Sequence, residues 1–265
     1  MKPDLYKYDL GDDVTVFSST RRGGVSKGRY GEFNINEFCG DEADDILRNR
    51  SLLATELGID TDRLVIPHQV HKTEIRLITE DFFSLPSPIR KRVIDGVDGV
   101  MTAGRGICIG VSTADCIPVL LYDARNRAAA AVHAGWRGTV ERIASKAVEE
   151  MKTVFNTAPQ DLKAVIGPGI SLESFEVGAE VYDTFANHGF NMTDIAKRYP
   201  AMTGDSEKWH IDLWECNKQQ LTDAGIKKEN IQIAGICTYK HSDVFFSARR
   251  MTINSGRIYT AIMLR

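Results

Sequence analysis

The sequence predicts a mixed α/β domain, and three observations carry that prediction. Short runs rich in β-branched and apolar residues recur along the 265 residues and read as strands. Other segments place apolar residues at helical spacing. The strands cluster before and after a few helices, without the one-by-one alternation of a doubly wound parallel sheet.

Taken in order, residues 14–18 form the first expected strand. A helix follows from about Asp44, where Leu47, Leu52, Leu53 and Leu57 support one face and Gly58 stops it. Strands are expected over residues 74–78, 107–112, 119–122 and 128–133. Val140, Ile143, Ala144, Ala147, Val148, Met151 and Phe155 keep 3.6-residue spacing, with Thr139 placed to cap the start of that helix. Residues 162–166 are a strand, and residues 212–224 a third helix with Gly225 behind it. Strands over 231–236 and 258–264 complete the set. Gly104-x-Gly106 lacks a third glycine and precedes a strand, so it makes no dinucleotide-binding unit. Gly167-Pro168-Gly169 reads as a turn. No repeat, low-complexity tract or Pro/Ser-rich linker divides the chain, so residues 1–265 are expected to form a single domain.

Composition narrows the function classes. With 43% hydrophobic and 26% charged residues, the chain has the balance of a soluble globular enzyme. Its net charge of −3 leaves no basic stripe to displace counterions from a polynucleotide, although local arginines suffice for a single nucleotide or nucleoside. Five cysteines, at 39, 108, 116, 216 and 237, are odd in number and lack CxxC spacing, which fits reduced thiols. The first residues have no apolar signal core, and no apolar stretch has the length of a membrane span. A cytoplasmic protein with no membrane partner is expected.

Three segments carry chemistry: Pro67-His-Gln-Val-His71-Lys-Thr73, Thr113-Ala-Asp-Cys116-Ile-Pro118 and Val132-His133-Ala-Gly-Trp-Arg137-Gly138. Two imidazoles and one thiolate make three protein ligands, the complement that leaves a fourth position on zinc open. Structural zinc sites are closed by four ligands, commonly in close pairs. Here His71 and Cys116 are 45 residues apart and Cys116 and His133 are 17 apart, so only a folded core assembles them. For Cys116 the alternative is an inert core thiol, and His68 and His71 at i and i+3 also suit a surface turn. His133 ends an apolar run before Gly135, where a strand hands residues to a site. Asp115 is read either as a partner orienting a ligand histidine or as a turn cap before Pro118.

Three further segments suit anions or a flat base. In residues 18–26, Gly23 and Gly24 let backbone N–H groups converge on an anion, with Arg21 supplying bidentate donors; a surface turn is the alternative. Arg137 lies just before the helix expected at Thr139 and four residues from His133. Phe245 and Phe246 precede Arg249 and Arg250, either as a stacking face beside cations or as core residues flanked by a solvated pair.

Arg21-x-Gly-Gly-Val-Ser26, Gln69-Val-His71, Asp95-Gly-Val-Asp98-Gly, Thr113-Ala-Asp-Cys116, His133-Ala-Gly-Trp-Arg-Gly138, Ile166-Gly-Pro-Gly-Ile170 and Phe246-Ser-Ala-Arg-Arg250 occur in the order found in the laccase-domain family, which the chain resembles from about Phe17 to Arg257. Lys72 replaces a common glycine and Arg29 a common proline, and neither is a ligand. Members of that family were first called multicopper polyphenol oxidases and later described as purine nucleoside phosphorylases with adenosine deaminase activity. The resemblance implies a single α/β domain with mixed β-sheets flanked by helices. It implies zinc on His71, Cys116 and His133, and purine nucleosides (adenosine, inosine, guanosine, methylthioadenosine) as substrates with inorganic phosphate. In that scheme Cys116, Asp115 and Arg137 serve catalysis, with Asp115 shuttling a proton, and Arg21, Ser26 and Arg249 bind substrate.

Other readings are open. Two His, one Cys and a distant thioether also match a blue Cu²⁺ site. A multicopper oxidase needs a trinuclear cluster as well, largely of His-x-His pairs, and this chain has six histidines and no such pair. Cys116 as nucleophile with His133 as base would make a metal-free thiol hydrolase. Some family members are linked to cell-wall precursor editing, which gives a peptide-bearing nucleotide as the alternative target.

Overall fold

The computed structural model describes residues 1–201 and 206–265. In chain order its strands are β1 (Leu5–Tyr8), β2 (Val14–Ser19), β3 (Leu64–Val65), β4 (Ile75–Leu77), β5 (Gly99–Thr102), β6 (Cys108–Thr113), β7 (Ile117–Asp123), β8 (Ala128–Ala134), β9 (Lys163–Ile166), β10 (Glu176–Val177), β11 (Ala196–Pro200), β12 (Glu207–Ile211), β13 (Ile231–Ile233) and β14 (Ile258–Leu264). Five make a sheet in the order β1-β2-β14-β6-β3, antiparallel except for the parallel β3–β6 pair. Six make a second in the order β13-β9-β7-β8-β5-β4, with parallel pairs at both edges and antiparallel pairs between. The strands β10-β12-β11 form a small antiparallel sheet. Both large sheets are therefore mixed and flanked by helices.

The sequences of β7, β8 and β14 are nearly continuous apolar runs because each strand is buried on both faces. Ile262 and Leu264 of β14 meet Leu120 and Tyr122 of β7 and Ala129 and Ala131 of β8 between the two sheets. The alternate residues Tyr259, Ala261 and Met263 face the other way, onto Leu53 and Ala54 of the helix Ala43–Leu57. Ile117, Val119 and Leu121, with Ala130 and Val132, face the helices Ile143–Phe155 and Leu213–Asp223. Period-two alternation thus builds four layers: helix, sheet, sheet, helices. The 20–33 cal/mol per Å² typical of buried apolar surface acts on both faces of every central strand.

β14 has its expected bounds, several other elements lie within a residue or two of theirs, and Gly58 takes the left-handed conformation (φ 69°) with its N–H on the Ala54 and Thr55 carbonyls. Leu47, expected on the buried face of that helix, is exposed; Ile46 and Asn49 are buried instead. The helix expected from Val140 to Phe155 is broken. A short helix, Trp136–Val140, ends before Arg142, which is left-handed at φ 61°, and a second runs Ile143–Phe155. Val140 and Ile143 both face the same core, so the apolar spacing continues across the break. Thr139 is not a cap: it is buried inside the first helix, where its hydroxyl accepts from Asn217. The strand over 231–236 stops at Ile233, shortly before Gly235 turns at φ 65°. Among the described residues no helix is long and apolar enough to cross a membrane.

Candidate functional site

The chain passes from one sheet to the other through three residues, Ala114, Asp115 and Cys116, between β6 and β7. Asp115 has φ 87°, a conformation that costs a non-glycine residue free energy and needs compensation. Its carboxylate supplies that by accepting from Thr238 Oγ1 at 2.7 Å and from the Arg249 N–H at 2.6 Å. The Asp115 carbonyl accepts from Ile170 N–H at 2.8 Å. Gly169 belongs to the same packing, since a Cβ there would stand 3.1 Å from the Asp115 oxygen and 2.4 Å from Ile117 Cδ1. Asp115 therefore anchors the crossing loop. It does not orient a ligand histidine, as one of its sequence readings had it.

Register brings the other side chains to this loop. Ile117 pairs with Ala134 in the β7–β8 ladder, which sets Cys116 across from Gly135. A Cβ on Gly135 would lie 3.0 Å from His71 Cδ2 and 3.2 Å from Cys116 Sγ, so glycine lets the two side chains converge. Gly99 pairs with Val132 in the β5–β8 ladder, which sets Asp98 beside His133. His133 Nδ1 lies 2.8 Å from Asp98 Oδ1. The same carboxylate accepts from the backbone N–H groups of Val70 (3.1 Å), His71 (2.9 Å) and Lys72 (2.8 Å), a concave turn made possible by His71 at φ 62°. One fully buried carboxylate thus fixes both histidines, one through its ring and one through its backbone.

One ligand atom from each of His71, Cys116 and His133 lies within 4.8 Å of the others, with His133 buried, Cys116 half-buried and His71 exposed. The two rings meet edge-on, their centroids 4.7 Å apart. Burial pushes the Cys116 thiol up, but the His133 charge and hydrogen bonds from both imidazoles outweigh it and hold the thiol well below its ordinary value. Burial opposes charge on His133, and Cys116 with Asp98 overcome it, so His133 is raised. Burial also opposes charge on Asp98, and its hydrogen bonds bring it below the usual carboxylate range. The thiolate is the metal-binding form of cysteine. With Asp98 as a pure acceptor, His133 carries its proton on Nδ1 and turns Nε2 to the cluster, the usual arrangement of a metal-binding histidine. Two imidazoles, one thiolate and the missing Cβ at Gly135 fit a metal ion with an open fourth position, and the ion would take the place of the proton on His133 Nε2.

The cluster lines a cavity of about 730 Å³, within the range of small-molecule sites. Arg249 lines it too, its guanidinium on the Glu176 carbonyl (3.1 Å) and over the Phe175 ring. The other expected contacts lie elsewhere. Arg21 donates to the Gly31 and Ser242 carbonyls and stacks on Phe246. Ser26 donates to Asp41 and accepts from Asn49. The glycine loop is not open to an anion, because Gly23 N–H donates to Glu32 and Val25 N–H to Asn49. Arg137 lies on the Trp136 ring and lines a separate cavity of about 410 Å³ that shares only His71 with the first. Phe245 and Phe246 are core residues, and the phenylalanines that line the large cavity are Phe38 and Phe175. Asp98 is the principal residue that the chemistry of the sequence did not single out. Its signal was the Asp95-Gly-Val-Asp98-Gly segment, whose role depends on strand register.

The relatives of the chain cover nearly all of it. Residues 15–265 match the family model described as multi-copper polyphenol oxidoreductase laccase. A purine nucleoside phosphorylase of Bacteroides thetaiotaomicron is 45% identical over 252 residues, which cover 95% of this chain and 92% of that protein. Adenosine deaminase RL5, from an unknown prokaryotic organism, is 42% identical over 262 residues, 98% of each chain. The crystal structure of the hypothetical protein YfiH of Bacillus licheniformis superposes with a TM-score of 0.86 at 28% identity, covering 95% of this chain and 93% of that one. On its family-model match over residues 15–265 and on relatives that cover nearly all of it, the chain belongs to the multi-copper polyphenol oxidoreductase laccase family.

Proposed function

We propose that this chain is a cytoplasmic, zinc-dependent purine nucleoside enzyme. In this reading it phosphorolyses adenosine, inosine, guanosine and methylthioadenosine to the free base and ribose-1-phosphate type products, and it deaminates adenosine. The observation that carries the reading is the convergence of His71, Cys116 and His133 at the wall of a cavity of nucleoside-binding size. Relatives named purine nucleoside phosphorylase and adenosine deaminase support the substrate class.

His71, Cys116 and His133 would hold the ion, and Asp98 would keep both histidines in register with it. When bound, zinc supplies Lewis acidity and the activation of water near neutral pH. Cys116 contributes the one anionic ligand. Arg249 and Arg257 are the arginines that line the cavity, and they take the anion-holding role that the sequence gave to Arg21 and Arg137. Arg257 is already fixed by the Ile253, Ser255 and Gly256 carbonyls, so its charge is held without reorganisation. Asp115 has no part in proton transfer here, because both its oxygens are committed to the loop.

The four-copper oxidase reading lacks ligands: among the described residues, His71, Cys116 and His133 are the one group of three or more His, Cys, Asp or Glu residues placed to hold a metal. Adenosine incubated with the zinc-loaded protein should give adenine only when phosphate is present, and inosine with or without it. Chromatography of the products checks this, and formation of neither product overturns the reading.

A further inference from the structure

A departing purine leaves more readily when protonated, and the cavity holds an imidazole besides those of the cluster. His68 lines it, and its backbone is clamped on both sides: His68 N–H donates to the Ile94 carbonyl at 2.9 Å, and Val97 N–H donates to the His68 carbonyl at 3.2 Å. This single parallel bridge sets His68 beside Asp95. Nδ1 of His68 lies 2.6 Å from Asp95 Oδ1, and the ring stacks on Phe38 with centroids 4.2 Å apart and planes 26° from parallel. The carboxylate fixes the proton on Nδ1, and Nε2 has no protein partner among the described residues. An exposed ion pair adds little to stability, and these side chains are 42% and 66% exposed. Backbone, carboxylate and aromatic face nevertheless all constrain this half-exposed ring.

We propose that His68, oriented by Asp95 and braced by Phe38, is the proton donor to the purine leaving group. The proposal rests on the phosphorolysis reading above. As the C1′–N9 bond breaks, its electron pair passes into the purine, which takes the proton of His68 Nε2 at N7. A phosphate oxygen forms the new bond to C1′. The proton given up by HPO₄²⁻ returns to His68 through solvent, so the neutral base and ribose 1-phosphate leave with no net proton consumed. Asp95 holds the ring through Nδ1, and the Phe38 face limits its rotation.

The test compares inosine with 7-methylguanosine, whose imidazole ring is already cationic and departs without protonation. His68→Gln should lower kcat/KM for inosine phosphorolysis on the order of 100-fold or more. It should change turnover of 7-methylguanosine only a few-fold, with zinc content and melting temperature unaltered. Asp95→Asn should show the same selectivity more weakly. Equal losses on both nucleosides, or no loss on inosine, overturn the proposal while the functional reading stands. Failure of the unsubstituted enzyme to phosphorolyse either nucleoside overturns that reading and the proposal with it.

Discussion

Cys116→Ala is expected to yield a folded protein that binds no zinc and turns over no nucleoside. The loop around Cys116 is held by others: the Asp115 carboxylate on Thr238 and Arg249, the Asp115 carbonyl on Ile170, and the close packing at Gly169. Removing one half-buried sulfur leaves all of these in place. The stability cost should stay near the roughly 1 kcal/mol typical of single substitutions. The metal, in contrast, loses its only anionic ligand. Its affinity should fall by more than the roughly 10–100-fold that partners behind the ligands are worth. Elemental analysis, thermal melting and nucleoside turnover on one preparation check all three parts. Unfolding of the variant would mean a structural site, and retention of zinc would remove Cys116 from the ligand set.

The second large effect is expected at Asp98. Its carboxylate accepts from three backbone N–H groups and from His133, and it is fully buried. Asp98→Asn replaces one acceptor oxygen by an amino group that faces donors. Each donor left unpaired costs about 1–3 kcal/mol, so a clear fall in melting temperature is expected. The turn that carries His71 loosens and His133 loses the partner that fixes its tautomer, so zinc affinity should drop by about 10–100-fold. The pH dependence has a definite sign. The folded protein holds this carboxyl below its ordinary range, so its contribution is complete at neutral pH and is lost as pH falls through the folded value. The Asn variant should lack that part of the acid sensitivity. Wild-type zinc affinity in a zinc titration would contradict the role assigned to Asp98.

Much of the fold is legible because burial on both faces leaves long apolar runs, as in residues 117–123, 128–134 and 258–264. Strands β11 and β12 were not legible: Lys197, Arg198, Glu207 and Lys208 are exposed there and dilute any alternation. Strand β5 begins on glycine and is only four residues long. The break at Arg142 was hidden because apolar spacing reports which way a residue faces and not whether the helix is continuous. The three candidate metal ligands, which the fold brings together, were legible from residue type, since two imidazoles and a thiol stand in glycine-rich or tightly turning segments. Direction was not. Arg21 and Arg137 have suitable chemistry, yet the backbone points them at Gly31 and Ser242 and at Trp136. Asp98 and Phe38 acquire their roles only through the β5–β8 register and the fold of the loops beside the cavity.

The proposed zinc centre of His71, Cys116 and His133 ties the cluster to chemistry on purine nucleosides. Its most direct test is phosphorolysis of inosine by the protein stripped of metal and then titrated with zinc. No hypoxanthine is expected from the stripped protein, and full activity should return at about one zinc per chain. Undiminished hypoxanthine release from the stripped protein would contradict the zinc centre and leave Cys116 as a nucleophile with His133 as its base.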